Sequence, residues 1–80
     1  MKHKYVRHST LGFVLWPMTD EIWHQHVGRL LAREAGAILS AGFAEMYDGS
    51  VSCYGKSESL GISSDPTDTD ALAKQLGLAA

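Results

Sequence analysis

Residues 19–36, TDEIWHQHVGRLLAREAG, carry the longest helical signal in the chain, and the fold class turns on them. Thr19 offers a capping hydroxyl, and Asp20 and Glu21 place negative charge where a helix dipole favours it, just after Pro17. A helical repeat gathers Ile22, Trp23, His26, Val27, Leu30 and Leu31 into one apolar arc centred on Trp23 and Leu30. The arc predicts contact with a sheet. Arg29 and Arg33 suit the C-terminal end, and Gly36 suits a left-handed closing residue.

The opposite side of this helix holds Gln25, Gly28, Ala32 and Ala35, none of them charged. Glycine inside a helix costs about 1 kcal/mol relative to alanine, so Gly28 is either merely tolerated or placed there for close approach by a second element. The second reading makes Gly28, Ala32 and Ala35 an expected interface.

Residues 4–16 favour a strand through Tyr5, Val6, Thr10, Phe13, Val14 and Trp16. One strand bent at Gly12 is the preferred reading, with a turn over residues 9–12 as the alternative. After the helix, residues 37–47 and 50–55 flank Asp48-Gly49, a strong hairpin signal. The implied register pairs Tyr47 with Ser50, Met46 with Val51, Ala44 with Cys53 and Phe43 with Tyr54. One hairpin face is then small (Ser40, Gly42, Ala44, Cys53), which invites a helix. The other carries Phe43 and Tyr54 and reads as a partly covered surface.

Residues 56–62 either continue the second strand past a bulge at Gly55 or form another short strand. Ser64-Asp65-Pro66 opens a C-terminal helix that runs to about Leu76 and stops at Gly77. The expected fold is a single α+β domain over residues 1–80, in the order β-α-β-β-α. One long helix covers the small face of an antiparallel sheet of three or four strands.

Eighty residues bury only roughly 60% of their unfolded surface, so the stability margin is thin and a partner would widen it. The net charge is −2, unevenly spread: residues 1–34 balance at plus two and residues 35–80 at minus four. A lone cysteine, Cys53, excludes an intramolecular disulfide and suits a reducing cytoplasm. The apolar run at residues 11–16 is too short for a signal peptide and far short of the ~20 residues that span a membrane.

Catalytic, cofactor and metal signatures are weak. His24 and His26 lie two apart on the expected helix and point about 160° away from each other, so they cannot share an ion; His26 reads as a core-boundary residue and His24 as a surface one. Met1-Lys2-His3 could surround Cu(II) or Ni(II) only at a frayed terminus. Cys53 in mid-strand reads as a small hydrophobe, and Asp65, Asp68 and Asp70 lack the glycine and terminal glutamate of a calcium loop. With no phosphate loop, nucleophile elbow or Ser-His-Asp set, no catalytic, cofactor-binding or metal-binding residue is expected.

These observations favour a non-enzymatic protein-protein interaction module, a homodimer or an obligate associate of another protein. Its contact would use the Gly28/Ala32/Ala35 face or the Phe43/Tyr54 face. In its compactness and its terminal helix with an acidic start, the chain resembles the short accessory proteins of phages and prophages, which implies a regulator or inhibitor of a larger assembly. The alternative is a nucleic-acid-binding regulator that uses Lys4, Arg7, Arg29 and Arg33, although an acidic chain leaves little surplus charge for phosphates.

Overall fold

The computed structural model describes residues 2–78. The first strand, β1 (Lys2–His8), folds back into β2 (Gly12–Pro17), and α1 (His24–Leu31) follows. A long hairpin, β3 (Ile38–Tyr47) and β4 (Ser50–Tyr54), leads into a second, minimal one, β5 (Lys56–Ser57) and β6 (Ile62–Ser63). The chain closes with α2 (Asp68–Leu76). The main sheet is antiparallel in the order β2-β1-β3-β4, and β5-β6 forms a separate two-stranded ribbon.

The α+β class and the four-stranded antiparallel sheet match expectation, while the β-α-β-β-α order does not. Residues 4–16 form two strands because His8 closes a turn between them: its Nδ1 accepts the backbone N–H groups of Thr10 and Leu11, at 3.1 and 3.2 Å. Gly12 takes φ +78°, a conformation open to glycine, and starts the return strand. Residues 56–62 become the separate ribbon, peeling away from β4 at Gly55, also left-handed at φ +78°.

The expected long helix over residues 19–36 contracts to eight residues. At its start, side chains from elsewhere take the carbonyls that would accept the first helical bonds. Lys4 Nζ donates to Thr19 C=O at 2.7 Å and to Ile22 C=O at 2.9 Å, and the Trp16 indole also donates to Ile22 C=O. Helix α1 therefore begins after Trp23, whose backbone is extended at ψ 160° and whose N–H donates to His26 Nδ1. At its end, the β1–β2 turn captures the chain: Thr10 Oγ1 donates to Ala35 C=O, and Ser9 pairs with Ala37 through both backbone and side chain.

The Asp48-Gly49 turn and the Gly77 stop hold as read, whereas α2 starts at Asp68, past the expected opening at Pro66, and α1 ends before Gly36. Asp48 and Gly49 both have positive φ, 53° and 81°, and the β3–β4 register is the expected one. Helix α2 stops at Gly77 with φ 74°, where Leu78 N–H donates to Ala73 C=O as in a Schellman cap.

The sheet is covered on both faces by different helices, a second departure from the expected arrangement. Helix α2, not the central helix, lies on the small-residue face, closing a core of Tyr5, Phe13, Ala44, Val51 and Leu72. On the other face α1 and the β5–β6 ribbon cover Val6, Trp16 and Ala41 through Val27, Leu31 and Leu60. Tyr5 and Val6 are neighbours in β1 and point to opposite faces, so each core draws one residue from the same dipeptide. Asp68 anchors α2: its carboxylate, fully buried, accepts from the Tyr5 hydroxyl, the Arg7 guanidinium and Asp65 N–H.

Candidate binding groove

With α1 starting at His24, its inward stripe is His24, Val27, Gly28 and Leu31, so Val27 and Leu31 of the expected arc pack against the core while Trp23 and Leu30, its expected centre, turn outward. Trp23 is 49% exposed and Leu30 74%. The two histidines exchange their expected roles. His24 is buried, its Nε2 donating to Gly42 C=O at 2.8 Å, while His26 is exposed and lies against the Trp23 ring with centroids 5.9 Å apart. The spacing of His24, Val27, Gly28 and Leu31 is itself helical, so the inward stripe is legible once the true start is known.

A groove of about 410 Å³ opens between the start of α1, β3 and the β5–β6 ribbon. Trp23, His24 and Phe43 form its apolar lining, Lys4 lies along it, and Lys56, Glu58 and Ser59 come from the ribbon. The rings form a continuous row: Trp16 and His24 meet edge to face at 5.4 Å, as do His24 and Phe43 at 5.6 Å, and Phe43 and Tyr54 are tilted at 5.9 Å. Trp23 is exposed but held, because its indole N–H donates to Asp20 C=O at 3.0 Å while His26 flanks its ring.

The histidine of this groove is occupied within the chain. Burial lowers the His24 pKa, and the Lys4 charge adds to that effect against the opposing pull of the Gly42 carbonyl, so the ring is neutral and donates through Nε2. On the far face, burial and then the Asp68 charge push the Cys53 thiol up to about 11, which leaves it a protonated, weak nucleophile. The Cys53 backbone N–H donates to Thr69 Oγ1. Among the described residues, no group of three or more His, Cys, Asp or Glu is placed to hold a metal. The Met1-Lys2-His3 motif includes Met1, which lies outside the described residues. No described helix is long and apolar enough to cross a membrane.

The residues expected to form interfaces fall into two places. Phe43 lines the groove and Tyr54, 38% exposed, extends its row of rings. Gly28 and Ala32 instead line a second cavity of about 300 Å³ beside Ile38 and Ile62, while Ala35 is exposed and gives its carbonyl to Thr10. The element that approaches Gly28 is the chain's own β5–β6 loop: a Cβ at Gly28 would lie 3.1 Å from Leu60 Cδ2 and 3.6 Å from Ile38 Cδ1. Ser59 Oγ, which accepts Gln25 N–H at 3.1 Å, fastens the same loop to α1.

The expected nucleic-acid set is dispersed. Lys4 lies along the groove, whereas Arg7 is on the α2 face, 3.0 Å from Asp68 and stacked over Phe13. Arg29 and Arg33 are exposed near the far end of α1. Sequence reasoning missed Lys56, Glu58 and Ser59 as groove residues, since only the peeling of the chain at Gly55 brings them there, and no local signal specifies that direction. No protein-family model, curated protein or solved structure matches this chain.

Proposed function

We propose that the protein is a non-enzymatic interaction module, a regulator or inhibitor that takes a segment of a larger protein into the Trp23/Phe43 groove. The observation that carries this reading is a half-exposed tryptophan fixed at both ends beside an apolar groove. An aromatic already held in place loses little freedom on binding, and tryptophans of this kind supply much of the energy of protein contacts. The commitment of His24, Cys53 and Asp68 to partners within the chain supports binding over catalysis.

A homodimer is the second reading, favoured by the stripe that continues from Trp23 to Leu30 along the outer side of α1. These residues are seven apart and so lie on one side, about 10 Å from each other along the axis. A nucleic-acid role finds less support, because Lys4 and Arg7 work on opposite faces of the sheet.

Capture of partners by the full chain, compared with Phe43→Glu and Leu30→Glu variants, tests these readings. The groove reading expects Phe43→Glu to lose the partner while Leu30→Glu keeps it; capture unchanged by Phe43→Glu overturns it. Light scattering at micromolar concentration tests self-association, which Leu30→Glu should abolish; a monomeric native chain removes the dimer.

A further inference from the structure

Lys4 is the unusual member of the groove. Its side chain is partly buried, and its ammonium, at an exposed position, donates to two backbone carbonyls, Thr19 and Ile22, which leaves a third N–H for a further acceptor. Carbonyls orient the ammonium but do not neutralise it. Among the described residues the ion pairs are Arg7 with Asp68 and Lys56 with Glu58, so Lys4 has no carboxylate partner. Its charge is nevertheless felt in the groove, where it disfavours protonation of His24.

A cation held in place in a groove that Trp23, His24 and Phe43 also line attracts an anion more strongly than one free in water, because its position is fixed and the apolar walls screen it less. Lys56 adds a second positive charge at the rim. Its pairing with Glu58 is loose, at 3.9 Å between side chains that are 67% and 86% exposed, and is readily exchanged for a ligand carboxylate.

Resting on the reading of the groove as a protein-contact surface, we infer that its occupant is an acidic peptide segment. One carboxylate of the segment meets the Lys4 ammonium, a neighbouring aromatic or large aliphatic side chain lies against Trp23 and Phe43, and a second carboxylate reaches Lys56. A single-stranded nucleic acid fits less well. It needs a track of cations for successive phosphates, whereas this groove has two lysines with the Glu58 carboxylate beside them.

The test uses the ¹⁵N-labelled full chain. Two sets of acetylated, amidated octapeptides are titrated into it: one with Phe, Trp or Leu flanked by Asp or Glu, the other with Asn or Gln in place of the acids. Acidic peptides are expected to shift the Trp23 indole and Phe43 amide resonances, with their amide counterparts at least tenfold weaker at low salt. Lys4→Met should remove that preference. Because Lys4 also ties down residues 19–22, the exposed Lys56→Glu change serves as a second variant and should weaken acidic peptides severalfold without altering the fold.

Equal binding of acidic and amide peptides overturns the charge reading but leaves the groove as a contact surface. Failure of both sets to move groove resonances overturns the inference, and the groove reading falls with it only if partner capture also survives Phe43→Glu. An octathymidylate probe that moves the groove resonances more tightly than any acidic peptide overturns both in favour of nucleic acid.

Discussion

The side-chain amide of Gln75 makes both hydrogen bonds that an added strand would make to Phe13. Its Oε1 accepts Phe13 N–H at 2.8 Å, and its Nε2 donates to Phe13 C=O at 3.0 Å. Phe13 lies in β2, one edge of the sheet, and on the opposite edge Thr69 Oγ1 accepts the Cys53 N–H of β4. Helix α2 thus crosses the sheet from one edge to the other and closes a backbone position on each. Open strand edges recruit other chains, and covering them is a common protection.

Replacing Gln75 by leucine keeps the helix propensity of α2 and removes both hydrogen bonds. Gln75 is solvent-exposed, so water replaces part of what is lost, and the expected destabilisation is about 1 kcal/mol in urea unfolding. The more telling result is association: the free β2 edge, with Phe13, Val14 and Leu15, should give concentration-dependent oligomers in light scattering. A variant as monomeric as the native chain would show that the amide does not guard the edge.

The elements read correctly from sequence are those whose causes are local. Asp48 and Gly49 need left-handed backbone, Gly77 ends a helix, and each carries that requirement in its own residue type. The helix expected over residues 19–36 is cut short by a cause that lies far away in sequence: Lys4, fifteen residues from Thr19, takes the carbonyl that would begin it. The same displacement turned Trp23 and Leu30 outward and His24 inward. Phe43 was legible as a surface residue through strand alternation, whereas the groove around it depends on Lys4 and on the ribbon, which only tertiary packing assembles.

Stability should fall as the solution is acidified below the ordinary histidine range. Burial lowers the folded-state pKa of His24 below its unfolded value of 6.5, so between those values the unfolded chain binds a proton that the folded chain does not. The His24 contribution is therefore fully present above pH 6.5 and is lost as pH falls toward the folded pKa. Urea midpoints measured from pH 7.5 to pH 5 should decrease, and His24→Phe should flatten that part of the profile. Asp68 acts in the same direction at lower pH. Burial raises its pKa, but the hydrogen bonds from Tyr5 and the Asp65 backbone outweigh that, and the net value lies below 3.8.

Tyr5→Phe should cost about 1.5–3 kcal/mol, the range for a hydrogen bond to a charged group. The ring stays packed against Phe13, 5.7 Å between centroids, so the loss reports on the hydroxyl alone. The Asp68 carboxylate would keep Arg7 and the Asp65 N–H but lose its most buried donor. Equilibrium unfolding measures the cost, and a change below about 0.5 kcal/mol would mean that the buried carboxylate does not depend on Tyr5.

Gly28 separates packing within the chain from contact between chains. In Gly28→Ala the new methyl meets the end of a flexible side chain, Leu60 Cδ2 at 3.1 Å, and the gain in helix propensity of about 1 kcal/mol roughly offsets the adjustment. Gly28→Leu cannot be accommodated that way and should destabilise the monomer by about 1–3 kcal/mol, as overpacking does. Adding Leu60→Ala should restore part of this loss, so a double-mutant cycle in urea gives a favourable coupling of at least 0.5 kcal/mol. If Gly28 served only contact between chains, Gly28→Leu would change association without changing unfolding, and Leu60→Ala would add independently. A coupling near zero would return Gly28 to the interface expected of it from sequence.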